Sequence, residues 1–293
     1  MFLDRFTNFL KYEKRYSDHT LAAYTHEVQR YLGRLLDQDT SLRDVTHRHA
    51  RAYLAGLLEA GHSPTSVNRS LSALRTYHKF LMREGALPHN PFTLVKALKA
   101  PKRLPVVVDK DKLSALLDME HAFPDTFEGL RDRTVLELLF GTGIRLAELL
   151  HIRDEHIDFY NKNLLIFGKR SKQRLVPLNR TLLALLRRYI AEKKAQQFDN
   201  ISTQLIVTKE GKHAYRKLIY NIVTRYLSTV SSQQKRSPHV LRHTFATALL
   251  DNGADLNAIK ELLGHAGLAA TQVYTHNSVE RLKSVYKQAH PKA

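Results

Sequence analysis

Apolar positions recur at helical spacing from the first residues onward. Phe2, Phe6, Phe9 and Leu10 mark one amphipathic helix, and Leu21, Tyr24, Val28, Tyr31 and Leu32 mark a second beyond the turn residues Ser17 and Asp18. A third is expected from about His47 to Glu59, with Ala50, Tyr53, Leu54 and Leu57 inward and Gly61 as its stop. The fourth opens with Ser63 as N-cap and Pro64 at the first helical position, where a missing N–H costs nothing. It carries Val67, Leu71, Leu74, Tyr77, Phe80 and Leu81 inward and ends by Gly85. Four helices joined by short turns make a small bundle over residues 1–98. Residues 99–105, KAPKRLP, hold two prolines and no periodicity, and read as a linker.

The remainder, residues 106–293, forms a second domain. Asp109 caps a helix through Met119, and the apolar run Leu130–Phe140 makes another that Gly141 and Gly143 break just before Arg145, where the next helix starts. Between Ile157 and Leu178 the period falls toward two, so Leu164–Phe167 and Arg174–Leu178 read as strands of a hairpin around a basic turn. Asn179 caps a helix to about Lys194; a short apolar piece, Leu205–Thr208, precedes a helix from about Tyr215 to Leu227. Pro238 opens the next helix and Gly253 stops it. Asp255 then caps a short helix, Leu256–Leu263, closed by Gly264. A final amphipathic helix, Ser278–Gln288, presents Val279, Leu282, Val285 and Tyr286 on one side. The expected fold class is therefore mainly α: an N-terminal helical bundle followed by a mostly helical domain with a small antiparallel β-sheet.

Charge points from fold to partner. Lys and Arg number 46 against 28 Asp and Glu, a net charge of +18. An excess of this size marks nucleic acid before it marks an anionic membrane surface. It is spread along the chain, +6 within residues 1–100 and +12 in the rest, so both domains are expected to face phosphates. Cysteine is absent, which removes disulfides and thiol nucleophiles and fits a reducing cytoplasm. No apolar run approaches the roughly 20 residues that span a bilayer, and the sixteen histidines are scattered without metal-ligand spacing. A cytoplasmic protein without a metal site, without membrane contact and without a cofactor is expected.

Within the bundle the cations Arg43, Arg48, Arg51, Arg69, Arg75 and Lys79 lie on faces read as exposed. The polar group Ser63, Thr65, Ser66, Asn68, Arg69 and Ser72 gathers at one helix start, a setting suited to phosphate contact. Arg43, Ser63, Thr65, Ser66, Asn68, Arg69 and Arg75 are the candidate DNA-binding residues here, with Lys172 in the hairpin turn.

The densest chemistry lies between Ser237 and His276. His239 and Arg242 stand three apart near the start of a helix, so both are expected on one face near the positive end of its dipole. His265 follows Gly264 directly, and Tyr274 sits after the small and polar residues Ala270, Thr271, Gln272 and Val273, a stretch that reads as exposed and movable. Singly, each residue has a plain structural reading. Together, a phenol, two imidazoles and a guanidinium are what covalent attack on a phosphodiester requires: a nucleophile, proton carriers and an anion clamp.

HVLRHTFAT, ELLGH and TQVYTH, in this order and spacing, resemble the C-terminal signature of the tyrosine recombinase (lambda integrase type) family, and the compact length resembles its Xer-type members. The resemblance implies catalytic roles for Arg145, in TG-x-R-xx-EL, and for His239, Arg242, His265 and the nucleophile Tyr274. Glu148 reads as a supporting residue that pairs or caps. The family pattern GKG-x-K-x-R-x-VPL places the catalytic lysine at Lys169, but Arg170 stands where glycine is usual, which makes Lys172 a competing candidate.

The implied activity is site-specific DNA cutting and rejoining through a 3′-phosphotyrosyl intermediate, with resolution of chromosome or plasmid dimers as the role. Implied partners are a double-stranded recombination site, a homo- or hetero-tetrameric synaptic complex with a second recombinase, and a septal DNA translocase. In the family the C-terminal tail docks into a neighbouring protomer. The alternatives are a mobile-element integrase with the same chemistry, a type IB topoisomerase, and a noncatalytic DNA-binding protein, which would leave Tyr274 and its basic companions unexplained. The lack of an extra N-terminal arm-binding domain favours the Xer-like reading.

Overall fold

Ser17, Thr46 and Ser63 each accept a backbone N–H at the head of a helix, and these three caps set out the N-terminal part of the chain. The structure is a computed structural model that describes residues 2–101, 107–119, 121–168, 173–199, 202–231, 236–264 and 276–292. The chain divides into two compact units, Met1–Arg103 and Leu104–Ala293.

In the first unit, α1 (Phe2–Asn8) runs into a single π-helical turn, Phe9–Glu13, that the helical spacing does not foretell. It is followed by α2 (Asp18–Asp37), α3 (His47–Glu59) and α4 (Pro64–Arg83), the last two with the expected bounds. α4 packs against the other three and supplies Val67, Leu71, Leu74, Tyr77 and Phe80 to the core. Phe6 meets the Tyr77 ring edge-on at 5.0 Å, and such fully buried side chains each contribute about 1.5–3 kcal/mol. His78 is completely buried between Tyr31, Tyr77 and Phe92.

The second unit is built around α6 (Phe127–Thr142), which is buried on nearly every face. It starts three residues earlier than the apolar run indicates, because Thr126 accepts the Gly129 N–H. Three of its charged residues, Arg131, Asp132 and Glu137, are buried. Arg131 pairs with Asp132, and Glu137 pairs with Lys292. Before it stands α5 (Lys110–Asp118), capped by Asp109 as expected, and after it α7 (Leu146–Leu150). The three-stranded antiparallel sheet comprises β1 (Ile157–Asp158), β2 (Asn163–Phe167) and β3 (Gln173–Pro177), in that order. Leu164 faces Val176 and Ile166 faces Arg174, so these four share the buried side of the β2–β3 pair.

α8 (Arg180–Ala195) and α9 (Arg216–Val230) pack on α6. The apolar piece Leu205–Thr208 between them is buried but belongs to no extended strand, joined only through isolated bridges. α10 (Pro238–Asp251) and α11 (Leu256–Leu263) follow, α11 with Asp255 as N-cap and Gly264 left-handed at φ 65°. α12 (His276–Ala289) lies on α10, α11 and β3 of its own unit and buries Leu282, Tyr286 and Ala289. The fold class read from the sequence is the one observed. Among the described residues no helix is long and apolar enough to cross a membrane.

Candidate active site

α11 ends in three consecutive carbonyls, and each is held by a different arginine. Arg174 Nε on β3 donates to Leu262 O at 2.9 Å, Arg242 Nη2 on α10 to Leu263 O at 2.7 Å, and Arg145 Nη2, just before α7, to Gly264 O at 3.0 Å. The last carbonyls of a helix have no partners within it and form the negative end of its dipole, so guanidinium groups are well matched to them. Gly264 is needed at the stop: its φ is positive, and a Cβ there would stand 3.1 Å from Arg174 Nη1.

A second fixed point is the turn that ends α6. Gly143 adopts φ 60°, and its carbonyl accepts from Arg242 Nη1 at 2.6 Å. A Cβ on Gly143 would lie 2.4 Å from the Phe245 ring, so this turn belongs to glycine on conformational and steric grounds alike. Arg242 is thereby bridged between the α6 turn and the end of α11.

Glu148 ties the arginines together. Its Oε2 accepts the Arg145 N–H at 2.7 Å, which caps α7, and its Oε1 accepts from Arg145 Nη1 at 2.8 Å. Arg174 reaches the same carboxylate with both terminal nitrogens, at 2.9 and 2.8 Å. Burial works to raise the Glu148 pKa, but the hydrogen bonds and charge of Arg174, with those of Arg145, bring it down to about 2. Arg242 moves the other way: burial first, then the neighbouring Arg145 cation, lowers it to about 10, which leaves it charged at neutral pH.

Helical spacing places His239 and Arg242 on one face, but the structure separates their surroundings. Arg242 is only 8% exposed, while His239 stands exposed on the first turn of α10. The sequence also leaves Arg242 off the buried face, because an arginine in a helix reads as solvated. Its guanidinium goes inward to meet carbonyls that arrive from residues 143 and 263. The Arg145 side chain is 36% exposed and so presents a cation at the surface of this cluster. The exposed His243 is shifted down by partial burial and then by His239 and Arg242.

The arrangement can therefore hold an anion between a half-exposed and a buried guanidinium beside an imidazole, directly ahead of position 265 in the chain. Lys169, Lys172, Arg170, His265 and Tyr274 lie outside the described residues. Among the described residues no group of three or more His, Cys, Asp or Glu gathers as a metal would need.

Arg174 is the residue that sequence reasoning passed over. The signal was available, since a period of two puts Arg174 on the same face as Val176, toward the core.

In the first unit Arg43, Ser63, Thr65 and Arg69 are exposed, and Ser63 accepts the Ser66 N–H. His47, Arg48, Arg51, Ala52 and Ala55 line a shallow basic depression on α3. Asn68 and Arg75 are engaged elsewhere. Both ends of the Asn68 amide bond the Leu98 backbone, at 2.9 and 2.8 Å, and the Arg75 guanidinium donates to the carbonyls of Phe92, Thr93 and Val95. These two latch the segment after α4 onto the bundle.

Comparison with known proteins places these observations. Residues 107–281 match the phage integrase family, and residues 3–85 match the N-terminal SAM-like domain of phage integrases. The chain belongs to the phage integrase family and is a tyrosine recombinase, a DNA strand-transferase. It is 36% identical over 295 residues to the tyrosine recombinase XerD of Staphylococcus epidermidis, covering 99% of both chains. It is also 36% identical to the tyrosine recombinase XerC of Anoxybacillus flavithermus, covering 99% of this chain and 98% of the relative. In fold it is similar to the XerH site-specific recombinase bound to a palindromic difH substrate in a post-cleavage complex. There the TM-score is 0.73 at 22% identity, over 90% of this chain and 78% of that one.

Proposed function

We propose that this site-specific recombinase resolves chromosome or plasmid dimers by cutting and rejoining DNA strands through a 3′-phosphotyrosyl intermediate. The observation that carries the chemistry is the convergence of Arg145 and Arg242 on consecutive carbonyls at the end of α11, which fixes two guanidinium groups at one helix terminus. In this reading they hold the nonbridging oxygens of the scissile phosphate, and their preorganisation by Glu148, Gly143 and Leu263 spares reorganisation as charge develops.

The Tyr274 oxygen attacks phosphorus as its proton passes to His239, and the bond from phosphorus to the 5′ oxygen breaks. Lys169, or Lys172 in its place, protonates that leaving oxygen, and His265 donates a hydrogen bond to the phosphate. The new ester keeps the bond energy, so the 5′ hydroxyl of another strand can reverse the step. Charge neutralisation comes from side chains, and no metal or cofactor is used. Exposed Arg43, Ser63, Thr65 and Arg69 contact the duplex backbone from the first unit. The same proposal extends to a tetrameric synaptic complex, of this chain alone or with a second recombinase, to a septal DNA translocase as partner, and to action in the cytoplasm.

A nicked duplex that traps the covalent intermediate tests the reading. The wild-type chain gives a DNA-linked band on a denaturing gel, and Tyr274→Phe gives none while still binding the duplex. A normal yield from Tyr274→Phe removes Tyr274 as nucleophile. A mobile-element role is distinguished by whether the sites that trap the chain are chromosomal or plasmid sequences or the ends of a mobile element.

A further inference from the structure

We propose that His213 is a positioning residue for Arg145: it holds, from the far end, the short helix that Arg145 opens. α7 has five residues, too few to persist as a helix on its own. Glu148, gripped by the Arg174 fork and bonded to the Arg145 N–H, pins it near its start. One pin fixes where such a rod lies. A second is needed to fix where it points.

The second pin is at the other end. His213 Nε2 lies 2.7 Å from Leu150 O, the last carbonyl of α7, which has no partner within the helix. A carbonyl only accepts, so Nε2 carries the proton and donates. Just beyond, the Leu205 N–H donates to Ile152 O at 2.7 Å, so one segment, residues 204–214, grips the chain twice as it leaves α7.

That segment is anchored by a buried charge that the proposed chemistry does not use. Lys193 on α8 is 2% exposed. Its ammonium has three donors, and each meets an acceptor: Asp154 Oδ1 at 2.7 Å, and Gln204 O and Leu205 O, both at 3.2 Å. Asp154 follows the exit from α7, so a single lysine joins that exit to the head of the segment. The Val207 N–H donates to the buried Tyr189 hydroxyl at 3.3 Å, and an isolated bridge pairs Val207 with His213. His213 therefore reaches Leu150 O from a fixed base.

The lever is short. Leu150 stands five residues from Arg145, about 7.5 Å along a helix axis, so a tilt at one end is carried to the guanidinium at the other. Misplacement by about 1 Å can slow a reaction about a hundredfold. With the Arg174 fork intact, loss of the second pin is expected to slow it about tenfold.

This inference rests on the reading of Arg145 as part of the phosphate clamp, and one arm of its test works without DNA. In the full chain, hydrogen exchange of the Leu149, His151 and Ile152 amides, which close α7, is compared between wild type, His213→Ala and His213→Gln. Glutamine restores an N–H donor, and since His213 is exposed neither change opens the core. These amides are expected to exchange about three- to tenfold faster in the alanine variant, those of α6 and α8 to stay unchanged, and the glutamine variant to recover most of the protection. In the second arm, at saturating duplex, the alanine variant forms the covalent DNA product about tenfold more slowly with duplex affinity unchanged, and glutamine rescues the rate.

α7 amides that exchange as in wild type overturn the proposal. So does an unchanged rate of product formation, or a slower one that glutamine leaves unrescued or that comes with an equal loss of duplex affinity. If wild type itself forms no covalent product, the clamp reading fails, and the exchange arm still decides whether His213 pins α7.

Discussion

Arg174 and Glu148 face each other fork to fork, two nitrogens against two oxygens at 2.9 and 2.8 Å, with both side chains only 6% exposed. The pair lies 26 residues apart in sequence and joins the sheet to the start of α7. Since the same carboxylate holds Arg145, and Arg174 also holds Leu262 O, it fixes the distance between the α6–α7 turn and the end of α11. Removing one partner of a buried pair strands the other charge, at a cost of about 3–5 kcal/mol. Arg174→Ala should lower stability by that amount in urea unfolding. Arg174→Lys should not restore it, because an ammonium cannot reproduce the fork and the bond to Leu262 O together.

The same carboxylate predicts an acid limb. Its folded pKa of about 2 is below the ordinary 4.5, so its contribution is present above pH 4.5 and is lost as pH falls from there toward 2. Glu148→Gln should be less stable than wild type at neutral pH, and the gap should narrow on acidification. Urea midpoints at about pH 6 and about pH 3 measure it; an unchanged gap would contradict the shift.

His78 should give the first unit a separate pH dependence. Burial, then nearby His89, lowers its pKa from 6.5 to about 4. The folded state therefore refuses a proton that the unfolded state accepts, and stability falls as pH drops from 6.5 to 4. Neither ring nitrogen has a partner among the described residues. His78→Phe, placed among Tyr31, Tyr77 and Phe92, should remove this slope and add about 1 kcal/mol at neutral pH, read from chemical unfolding.

Gly143→Ala should combine backbone strain at φ 60° with a clash against Phe245, for a loss of about 2–4 kcal/mol. Beyond stability, the Gly143 carbonyl would leave Arg242, so formation of the covalent DNA product should fall by more than duplex binding does. Single-turnover cleavage beside equilibrium binding separates the two effects.

Arg69 and Arg75 should behave differently although both lie on α4. Arg69→Ala is expected to weaken binding across DNA sequences and to reduce the salt slope by about one ion, with little effect on folding. Arg75→Ala loses its bonds to three carbonyls and should destabilise the first unit by about 1.5–3 kcal/mol. Thermal unfolding and salt-dependent binding, run on both variants, check the contrast.

Cleavage should persist in a chelator, because side-chain cations carry the proposed charge neutralisation. Loss of the covalent product in EDTA with recovery on adding a divalent ion would show that the scheme lacks a component.

Much of the fold is written in local chemistry. Ser63 with Pro64, Asp109, Asn179, and Asp255 with Gly264 all lie where the structure starts or stops helices, since a cap is decided by a few neighbouring atoms. The start of α6 lies before the apolar run because Thr126 is the cap, accepting the Gly129 N–H, and the charged Arg131, Asp132 and Glu137 are buried through partners brought by the tertiary fold or by each other. The inward turn of Arg242 and the importance of Arg174 escaped for a related reason. Their main partners lie 99, 88 and 26 residues away, and a one-dimensional pattern carries no sign of which carbonyl will arrive beside them.

The acceptors at Leu262, Leu263 and Gly264 are main-chain oxygens, so replacing the side chains of these residues leaves them in place. Length is what this junction cannot vary. Each residue added within the last turn of α11 rotates the downstream chain by about 100° and advances it by about 1.5 Å, so every arginine would meet its neighbour's oxygen or none. Apolar substitutions that keep the buried packing of Leu262 and Leu263 leave the acceptors in place so long as the stop remains a glycine, whereas insertions and deletions would misaddress all three guanidinium groups at once.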